Sequence, residues 1–280
     1  MTETVDVTLP AQRTTEGASV DGAVVSGAVV DAAVAAFNRA WAAMCLASRN
    51  GSYAEHDGVG YSRTGLPVAP FNCVVGLTSQ VTDEAVLAAV DEFAAGDLPW
   101  NVQLRPGFSD ELAEALAGRG LVQTAAIPFM VLTTEPVTAQ PPPMRALDTF
   151  DDLQSAISLL EQGFGMPPEL TRGGFSLRML MLEAATTWLA SDAGSDVSTA
   201  LGFLDREHVG IFNVATPETH RGRGFGAAVT AQAVHAGFAA GASVAYLQAS
   251  PMGHPVYKKL GFSTVERWQQ WMPAAFVDGH

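Results

Sequence analysis

The chain alternates between stretches in which apolar residues recur every three or four positions and short runs that are almost continuously apolar. The first spacing predicts amphipathic helices, and the second predicts buried strands. In the amino-terminal half, Asp31 precedes a helical stripe of apolar residues and is the expected cap of that helix. Residues Arg49–Pro70, which include several glycines and prolines, are predicted to form a loop. The elements predicted after this loop are strand Phe71–Leu77, helix Asp83–Ala95, strand Trp100–Leu104, helix Asp110–Ala117 and strand Leu121–Leu132.

The carboxy-terminal half has the same kinds of pattern. Leu153, Ile157 and Leu160 recur at helical spacing, and Leu177–Leu182 is predicted to form a second helix. The elements predicted after it are strands Trp188–Ala190, Val197–Leu204 and Ile211–Val214, helix Phe225–Ala240, strand Ser243–Ala249, a short helix from Pro255 to Gly261, and strand Phe262–Met272. The strand–helix–strand order around the long helix predicts a parallel βαβ unit, because parallel strands need a crossover connection.

Two stretches of the chain share one order of predicted elements. Residues 71–132 and 211–272 each run through strand, helix, strand, short helix and strand, which indicates a weak internal repeat. Between them, the prolines of Thr134–Met144 predict a stiff linker. The length of 280 residues is also typical of two domains. We therefore predict a flexible tail at 1–28, a first domain at 29–134, a linker at 135–144 and a second domain at 145–280.

One glycine-rich segment, residues 221–226, connects a predicted strand to a predicted helix. Its sequence is Arg-Gly-Arg-Gly-Phe-Gly. Glycines let the backbone approach a ligand, and a helix start offers free N–H donors and a partial positive charge. With two guanidinium groups in the same segment, this composition favours a cradle for a phosphate-bearing ligand. The alternative is a tight turn with solvated arginines.

Three families of phosphate-binding loop have glycines at comparable spacing. A P-loop carries Lys-Ser or Lys-Thr after its last glycine, whereas two alanines follow here. A dinucleotide loop needs an acidic residue about 20 positions further on, and no Asp or Glu lies between Glu218 and Glu266. The third pattern, Arg-x-x-Gly-x-Gly, is met by residues 221–226. Together with strand-like Val244–Ser250 and with Tyr-Lys-Lys-Leu-Gly-Phe at 257–262, this segment resembles the acyl-CoA-binding region of the GNAT superfamily of N-acetyltransferases.

The distribution of charge favours the same kind of ligand. The chain carries 15 Lys and Arg against 29 Asp and Glu, which gives a net charge of −14. Residues 219–265 nevertheless contain only basic formal charges, namely Arg221, Arg223, Lys258 and Lys259. A basic region in an acidic protein is where an anionic cofactor is expected to bind.

Composition sets further expectations about compartment and partners. Cys45 and Cys73 are the only cysteines and have apolar neighbours, which predicts buried thiols, a reducing compartment and a cytoplasmic location. No cluster of Cys and His has the spacing of metal ligands. The apolar stretch Ala23–Val30 is too short to span a membrane and lacks the basic start of a signal peptide. We therefore expect no metal, no membrane and no nucleic acid among the partners.

The resemblance implies where acyl-CoA binds. In the family, the cofactor lies between two parallel strands that separate, here Ile211–Thr216 and Ser243–Ser250. The backbone of the first strand holds the pantetheine arm, and one of its N–H groups faces the thioester oxygen, where charge develops on attack. The implied cofactor-binding residues are Val214, Ala215, Thr216, Arg221, Gly222, Arg223, Gly224, Phe225, Gly226 and Ser250.

Tyr257 matches the position that protonates the departing thiolate in many relatives. A positioned phenol can donate a proton to a thiolate, and the alternative role for Tyr257 is packing in a short helix. The strand Ile211–Ala215 contains no carboxylate, so the general base is left open between water, His254 and the first domain.

The first domain departs from the family pattern where the cofactor would bind. Its strand-to-helix connection, Thr78–Glu84, lacks Arg-x-x-Gly-x-Gly and carries two acidic residues, so the resemblance implies a degenerate copy. Clefts often form where two domains pack together. The loop residues Tyr53, His56 and Tyr61 are therefore the expected wall of the acceptor site.

The predicted fold class is mixed α/β, with two tandem GNAT-like domains. Each would be a mixed, mostly antiparallel sheet flanked by helices around a central parallel βαβ unit. The implied activity is direct transfer of an acetyl group from acetyl-CoA to the amine of a small molecule in a ternary complex. The alternative is a catalytically inactive CoA-binding protein with a regulatory or interaction role. Thiol release that depends on an added amine separates the two.

Overall fold

The structure, a computed structural model, describes residues 25–78, 81–136, 142–168, 170, 178 and 182–277. Within these residues, twelve strands form one mixed sheet with helices on both faces. The helices are α1 (Gly27–Ala47), α2 (Asp83–Ala94), α3 (Asp110–Gly118), α4 (Phe150–Phe164), α5 (Phe225–Ala239) and α6 (His254–Lys259). The strands are β1 (Ser52–His56), β2 (Val59–Arg63), β3 (Asn72–Gly76), β4 (Asn101–Leu104), β5 (Leu121–Gln123), β6 (Ile127–Leu132), β7 (Met144–Ala146), β8 (Ala185–Asp192), β9 (Ser195–Asp205), β10 (His208–Ala215), β11 (Val244–Gln248) and β12 (Ser263–Pro273).

The helices and strands predicted after the first loop are confirmed wherever the structure describes them, with ends that differ by a few residues. The predicted strand Leu121–Leu132 is divided into β5 and β6. Met144, predicted as the end of the linker, is instead the first residue of β7. The predicted helix Leu177–Leu182 lies almost wholly outside the described residues.

The first helix is longer than the sequence predicted. Asp31, the expected cap, lies inside α1, which begins at Gly27. The Asp31 carboxylate instead accepts a hydrogen bond from Arg105 Nη2 at 2.7 Å. Among the described helices, α1 alone is long and apolar enough to cross a membrane by length and composition. Here it packs on the sheet as a core helix, with Val34 and Phe37 buried.

The predicted loop Arg49–Pro70 contains a β-hairpin. β1 and β2 pair antiparallel from Ser52↔Arg63 to His56↔Val59. Asp57 and Gly58 connect them with φ values of 50° and 76°, which is the left-handed pair that a type I′ hairpin turn needs. The pair Asp57-Gly58 is a strong sequence signal for a hairpin turn. The glycines and prolines around it led instead to the prediction of a loop.

The twelve strands belong to one continuous sheet, whereas the sequence predicted one sheet per domain. Their order is β1-β2-β3-β4-β12-β6-β11-β10-β9-β8-β7, and β5 also pairs with β12. The two halves exchange strands at the centre. β6, from the first half, lies between β11 and β12, and β12 lies between β6 and β4. Each half therefore completes the sheet of the other, and a chain beginning at Arg145 would lack the strand that covers the edge of β11.

The sheet contains two parallel pairs, and each is connected by a crossover helix as predicted. α2 connects β3 to β4, and α5 connects β10 to β11. The alternation of side chains along the strands assigns the helices to faces. Cys73, Val75 and Tyr246 pack with α1, whereas Val74 packs with α2 and Leu247 with α6. Thus α1 and α4 cover one face, and α2, α3, α5 and α6 cover the other.

A buried ion pair joins the two halves beneath α1. Arg105 Nη2 lies 2.6 Å from Glu266 Oε1, and both side chains are less than a tenth exposed. Trp268 Nε1 donates to the other oxygen, Glu266 Oε2, at 2.7 Å. Because removing one partner of a buried pair leaves an uncompensated charge, this contact favours a single arrangement of β4 against β12.

We expect Gly210→Ala to destabilise the fold by about 1–3 kcal/mol. A Cβ atom at Gly210 would lie 2.6 Å from Tyr246 Oη and 2.5 Å from Phe212 Cε2, so two packed rings would have to move. Urea unfolding measures the change. Gly118→Ala in α3 is the matched control, because a Cβ there meets nothing within 4 Å and alanine favours a helix. Equal loss of stability in both variants would contradict the close packing at Gly210.

Candidate active site

β10 and β11 separate beyond a short paired stretch. They are paired in parallel over three positions, of which Gly210↔Tyr246 is the last. Beyond this point β10 stays bonded to β9 as far as Ala215, and β11 stays bonded to β6 as far as Gln248. A wedge-shaped gap therefore opens between the ends of the two parallel strands. The corresponding pair in the first half does not separate, because β3 and β4 are paired up to Gly76↔Leu104, where both strands end.

The β10 side of the gap is irregular. The pairing of β10 with β9 shifts register between Phe212 and Ala215. Within this bulge, Asn213 adopts a left-handed backbone with φ 54°, a conformation that asparagine tolerates better than most residues. Its Nδ2 is buried without a hydrogen-bond partner among the described residues. A bulge of this kind turns backbone groups away from the neighbouring strand and toward the gap.

The glycine-rich loop leads from the gap into α5. Gly222 and Gly224 have φ values of 74° and 85°, which is why glycine suits both positions. Gly224 is the residue before α5, and the first turn of α5 carries no acidic side chain. A Cβ at Gly226 would lie 3.2 Å from Thr216 Oγ1, so this glycine lets α5 approach the end of β10. The free N–H groups at the start of α5 therefore lie beside the gap and favour an anion.

Both arginines of the loop contact protein groups. Arg221 donates from Nε to the Thr216 carbonyl at 3.1 Å and from Nη2 to the Gly163 carbonyl at 2.9 Å. Arg223 Nη2 lies 2.6 Å from Asp192 Oδ2, and its guanidinium lies over the Phe225 ring at 4.9 Å from the centroid. The guanidinium groups thus hold the loop against β10, α4 and β8, and their charge lies close to the start of α5.

The end of β10 is held from both sides. The Ala215 carbonyl accepts a hydrogen bond from Ser198 Oγ at 3.0 Å, and Thr216 Oγ1 lies 2.9 Å from the same hydroxyl. On the α4 side, a Cβ at Gly163 would lie 2.7 Å from the Ala215 side chain. The predicted binding residues Val214, Ala215 and Thr216 therefore lie together at the gap, on a strand end with little freedom to move.

The β11 side of the gap leads into α6. Ser250 Oγ accepts a hydrogen bond from the Gly253 N–H at 3.1 Å and so closes the turn into that helix. Tyr257 packs in one apolar cluster with Leu247 and Ala249 of β11, and its side chain is buried. Burial raises the pKa of the Tyr257 phenol to about 12. The phenol is therefore protonated at neutral pH, which is the form that can donate a hydrogen.

The candidate bases and acceptor-site residues are not all brought together. His254 Nε2 lies 2.9 Å from Thr264 Oγ1, on the same face of the sheet as Tyr257. In the hairpin, Tyr61 packs beneath α2 and α3, and His56 lies against the Tyr61 ring. Tyr53 donates a hydrogen bond to Asn38 of α1 at 2.7 Å. None of these contacts joins the three residues to β10, β11 or α5 in the described part of the chain, and their role as a wall of the acceptor site stays a prediction.

One contact between the halves at the gap was missed from the sequence. Gln248 Nε2 donates to Gln103 Oε1 at 2.9 Å, which connects the end of β11 to β4. Nothing in the local pattern around either glutamine indicates this pairing. Among the described residues, no group of three or more His, Cys, Asp or Glu could hold a metal ion.

Residues 160–262 match the model of the acetyltransferase (GNAT) family. This segment is therefore similar to a GNAT acetyltransferase domain. It begins in α4 and includes β8–β11, the glycine-rich loop, α5 and α6. No curated protein matches the chain.

Solved structures share the fold over both halves. A GCN5-related N-acetyltransferase from Kribbella flavida matches 86% of this chain and 95% of its own, with a TM-score of 0.65 and 17% identity. A GCN5-related N-acetyltransferase from Sphaerobacter thermophilus matches 86% of this chain and 92% of its own, with a TM-score of 0.55 and 17% identity. At this identity the likeness is one of fold, and it agrees with the mixed α/β architecture predicted from the sequence.

Proposed function

We propose that the chain is an N-acetyltransferase that transfers an acetyl group from acetyl-CoA to the amine of a small molecule by direct transfer in a ternary complex. The observation that carries this proposal is the gap between β10 and β11, which opens beside the glycine-rich start of α5. A cofactor with an anionic pyrophosphate and a long neutral arm fits these two features together. The pyrophosphate binds the free N–H groups of the loop and helix, and the arm enters the gap.

The transfer itself uses both sides of the gap. A backbone N–H of the β10 bulge donates to the thioester oxygen as negative charge develops on it. The amine nitrogen attacks the carbonyl carbon and forms the new C–N bond. The C–S bond then breaks, and the sulfur takes the bonding electrons and receives a proton from Tyr257. The amine loses one proton to water or to a base.

The first half is proposed to be a degenerate copy of the same domain. Its parallel pair, β3 and β4, is connected by α2 in the same way as β10 and β11 are connected by α5. Two features remove the cofactor site. β3 and β4 stay paired to their ends, and α2 begins with Asp83 and Glu84, whose charges repel phosphate. The residues proposed to bind the cofactor therefore all lie in the second half.

An amine panel tests the enzymatic function against the alternative of a CoA-binding protein without catalysis. The purified protein is mixed with acetyl-CoA and either putrescine, tyramine, galactosamine or alaninamide, and free thiol is followed by absorbance. Release of CoA thiol that depends on one of these amines, with the acetylated amine identified by mass spectrometry, supports the proposal. Tight binding of acetyl-CoA without amine-dependent thiol release favours the alternative.

Calorimetry is expected to give one acetyl-CoA per chain. The second half offers a gap and a glycine loop, and the first half offers neither. Titration of the full-length protein measures the stoichiometry directly. Two sites of comparable affinity would contradict the degenerate role of the first half.

A further inference from the structure

Gln248 lies at the gap, on the face opposite to Tyr257. It is the last residue of β11, two positions beyond the last pair with β10. Since side chains alternate along a strand, Gln248 shares the face of Tyr246, which packs with α1. Leu247 lies on the other face, in the cluster that contains Tyr257. The cofactor loop and Tyr257 thus belong to one face, and Gln248 borders the gap from the other.

The amide of Gln248 is oriented by the first half of the chain. Gln248 Nε2 donates to Oε1 of Gln103, whose side chain on β4 is 6% exposed. Gln103 Nε2 in turn donates to Cys73 Sγ at 3.7 Å. Burial raises the pKa of the Cys73 thiol to about 12, so the thiol is neutral at ordinary pH. This row of three side chains is therefore uncharged and fixes one N–H of Gln248.

The remaining groups of Gln248 are available to a ligand. A primary amide has two N–H donors and an oxygen with two lone pairs, and only one of these donors is used by Gln103. Gln248 is partly exposed, so a small molecule at the gap can reach its oxygen. An oxygen that is held in place before the ligand arrives costs little to order on binding.

We propose that Gln248 Oε1 accepts an N–H of the acceptor amine, and that Gln103 acts through Gln248 as a positioning residue. The inference rests on the proposed function, in which the thioester occupies the gap with its sulfur toward Tyr257. The amine then reaches the carbonyl carbon from the face of Gln248. An amide oxygen holds a neutral amine by one hydrogen and leaves the nitrogen lone pair free. A carboxylate at this place would instead favour the protonated ammonium, which has no lone pair.

This arrangement selects primary amines. Acetylation removes one hydrogen from the nitrogen, and a primary amine keeps a second hydrogen that stays bonded to Gln248 throughout the reaction. An N-methylated amine has a single hydrogen, which it must lose. The acceptor class is therefore a primary amine, and a methyl group on the nitrogen should weaken its use.

Two substitutions test the inference. Gln248→Met and Gln103→Met each remove an amide and keep nearly the same volume. The probe is the primary amine of the panel that gives the fastest thiol release, compared with its N-methyl analogue. In Gln248→Met, the KM for the primary amine is expected to rise roughly 3- to 30-fold, which corresponds to one lost hydrogen bond, while the Kd of acetyl-CoA stays unchanged. In the same variant, the preference for the primary amine over its N-methyl analogue should shrink by a similar factor.

Gln103→Met should raise the KM for the primary amine by a smaller factor. The double variant should have a KM no higher than that of Gln248→Met, because both residues act at one contact.

Gln269→Met provides the matched control. Gln269 Oε1 accepts a hydrogen bond from Trp271 Nε1 at 3.2 Å, and this partly exposed glutamine is paired with Leu104, which packs with α2 and α3 on the face opposite to Gln248. Replacing Gln269 should leave the KM for the amine unchanged. If Gln248→Met and Gln269→Met have the same KM for the amine, the inference is wrong and the proposed function stands. If the unmodified protein releases no thiol with any amine, the proposed function fails and the inference fails with it.

Discussion

The double variant Gly224→Val with Arg221→Glu is expected to lose acetyl-CoA binding, with an increase in Kd of more than about 100-fold. Gly224 has φ 85° and directly precedes α5, so valine strains the turn that presents the N–H groups. Arg221 holds the loop through the carbonyls of Thr216 and Gly163. A glutamate there releases both contacts and places a negative charge where the pyrophosphate is proposed to bind. Calorimetric titration with acetyl-CoA measures the loss.

A second double variant separates this effect from general damage to the fold. Gly241→Val with Arg267→Glu makes the same two changes elsewhere. Gly241 follows the other end of α5 with φ 106°, and a Cβ at Gly241 or at Gly224 meets nothing within 4 Å. Arg267 is exposed on β12. The control should keep its affinity for acetyl-CoA and lose a similar amount of stability. Retained binding in the Gly224 and Arg221 variant, or equal loss in both variants, would contradict a phosphate site at the loop.

The individual elements were predictable because their signals are local. The βαβ unit around α5 follows from apolar spacing and from glycines that end or begin elements. The strand order was not predictable in the same way. β6 pairs with β11 and β12, from the other half of the chain, and an apolar strand such as Phe129–Leu132 would suit many neighbours equally well. The exchange depends on packing across the whole sheet, for which the sequence of one strand carries no signal.

The candidate site shows the same division between local and distant information. The loop 221–226 was predictable, because Gly222 and Gly224 serve backbone angles that few other residues adopt. The partners of its arginines were not, since Gly163 and Asp192 lie in other elements. The pair of Gln103 and Gln248 joins β4 to β11, although β12 and β6 lie between these two strands in the order of the sheet. Contacts between distant segments thus decide which side chains border the gap.

Tyr257→Phe is expected to lower kcat by about 10²- to 10⁴-fold, the usual contribution of a general acid. The phenol packs beside the end of β11, where the sulfur of the cofactor is proposed to lie. As the C–S bond breaks, negative charge develops on sulfur beside the buried Tyr257 side chain. A hydrogen donated to that sulfur lowers the barrier, and phenylalanine keeps the ring and its packing but donates nothing. The Kd of acetyl-CoA and the free energy of unfolding should therefore change little, and a comparison of kcat, KM and Kd separates these effects.

The pH dependence of kcat and a control substitution at a second tyrosine give two further tests of the role of Tyr257. Burial raises the pKa of Tyr257 to about 12, so the phenol keeps its proton and should cause no fall in kcat below about pH 11.

Tyr246→Phe is the matched control. Tyr246 is fully buried on the α1 face of β11, burial likewise raises the pKa of its phenol, and its hydroxyl has no partner among the described residues. Removing that hydroxyl should leave kcat unchanged. If Tyr257→Phe also turns over within a few-fold of the unmodified protein, thiolate release needs no phenol, and Tyr257 serves to pack α6 against β11.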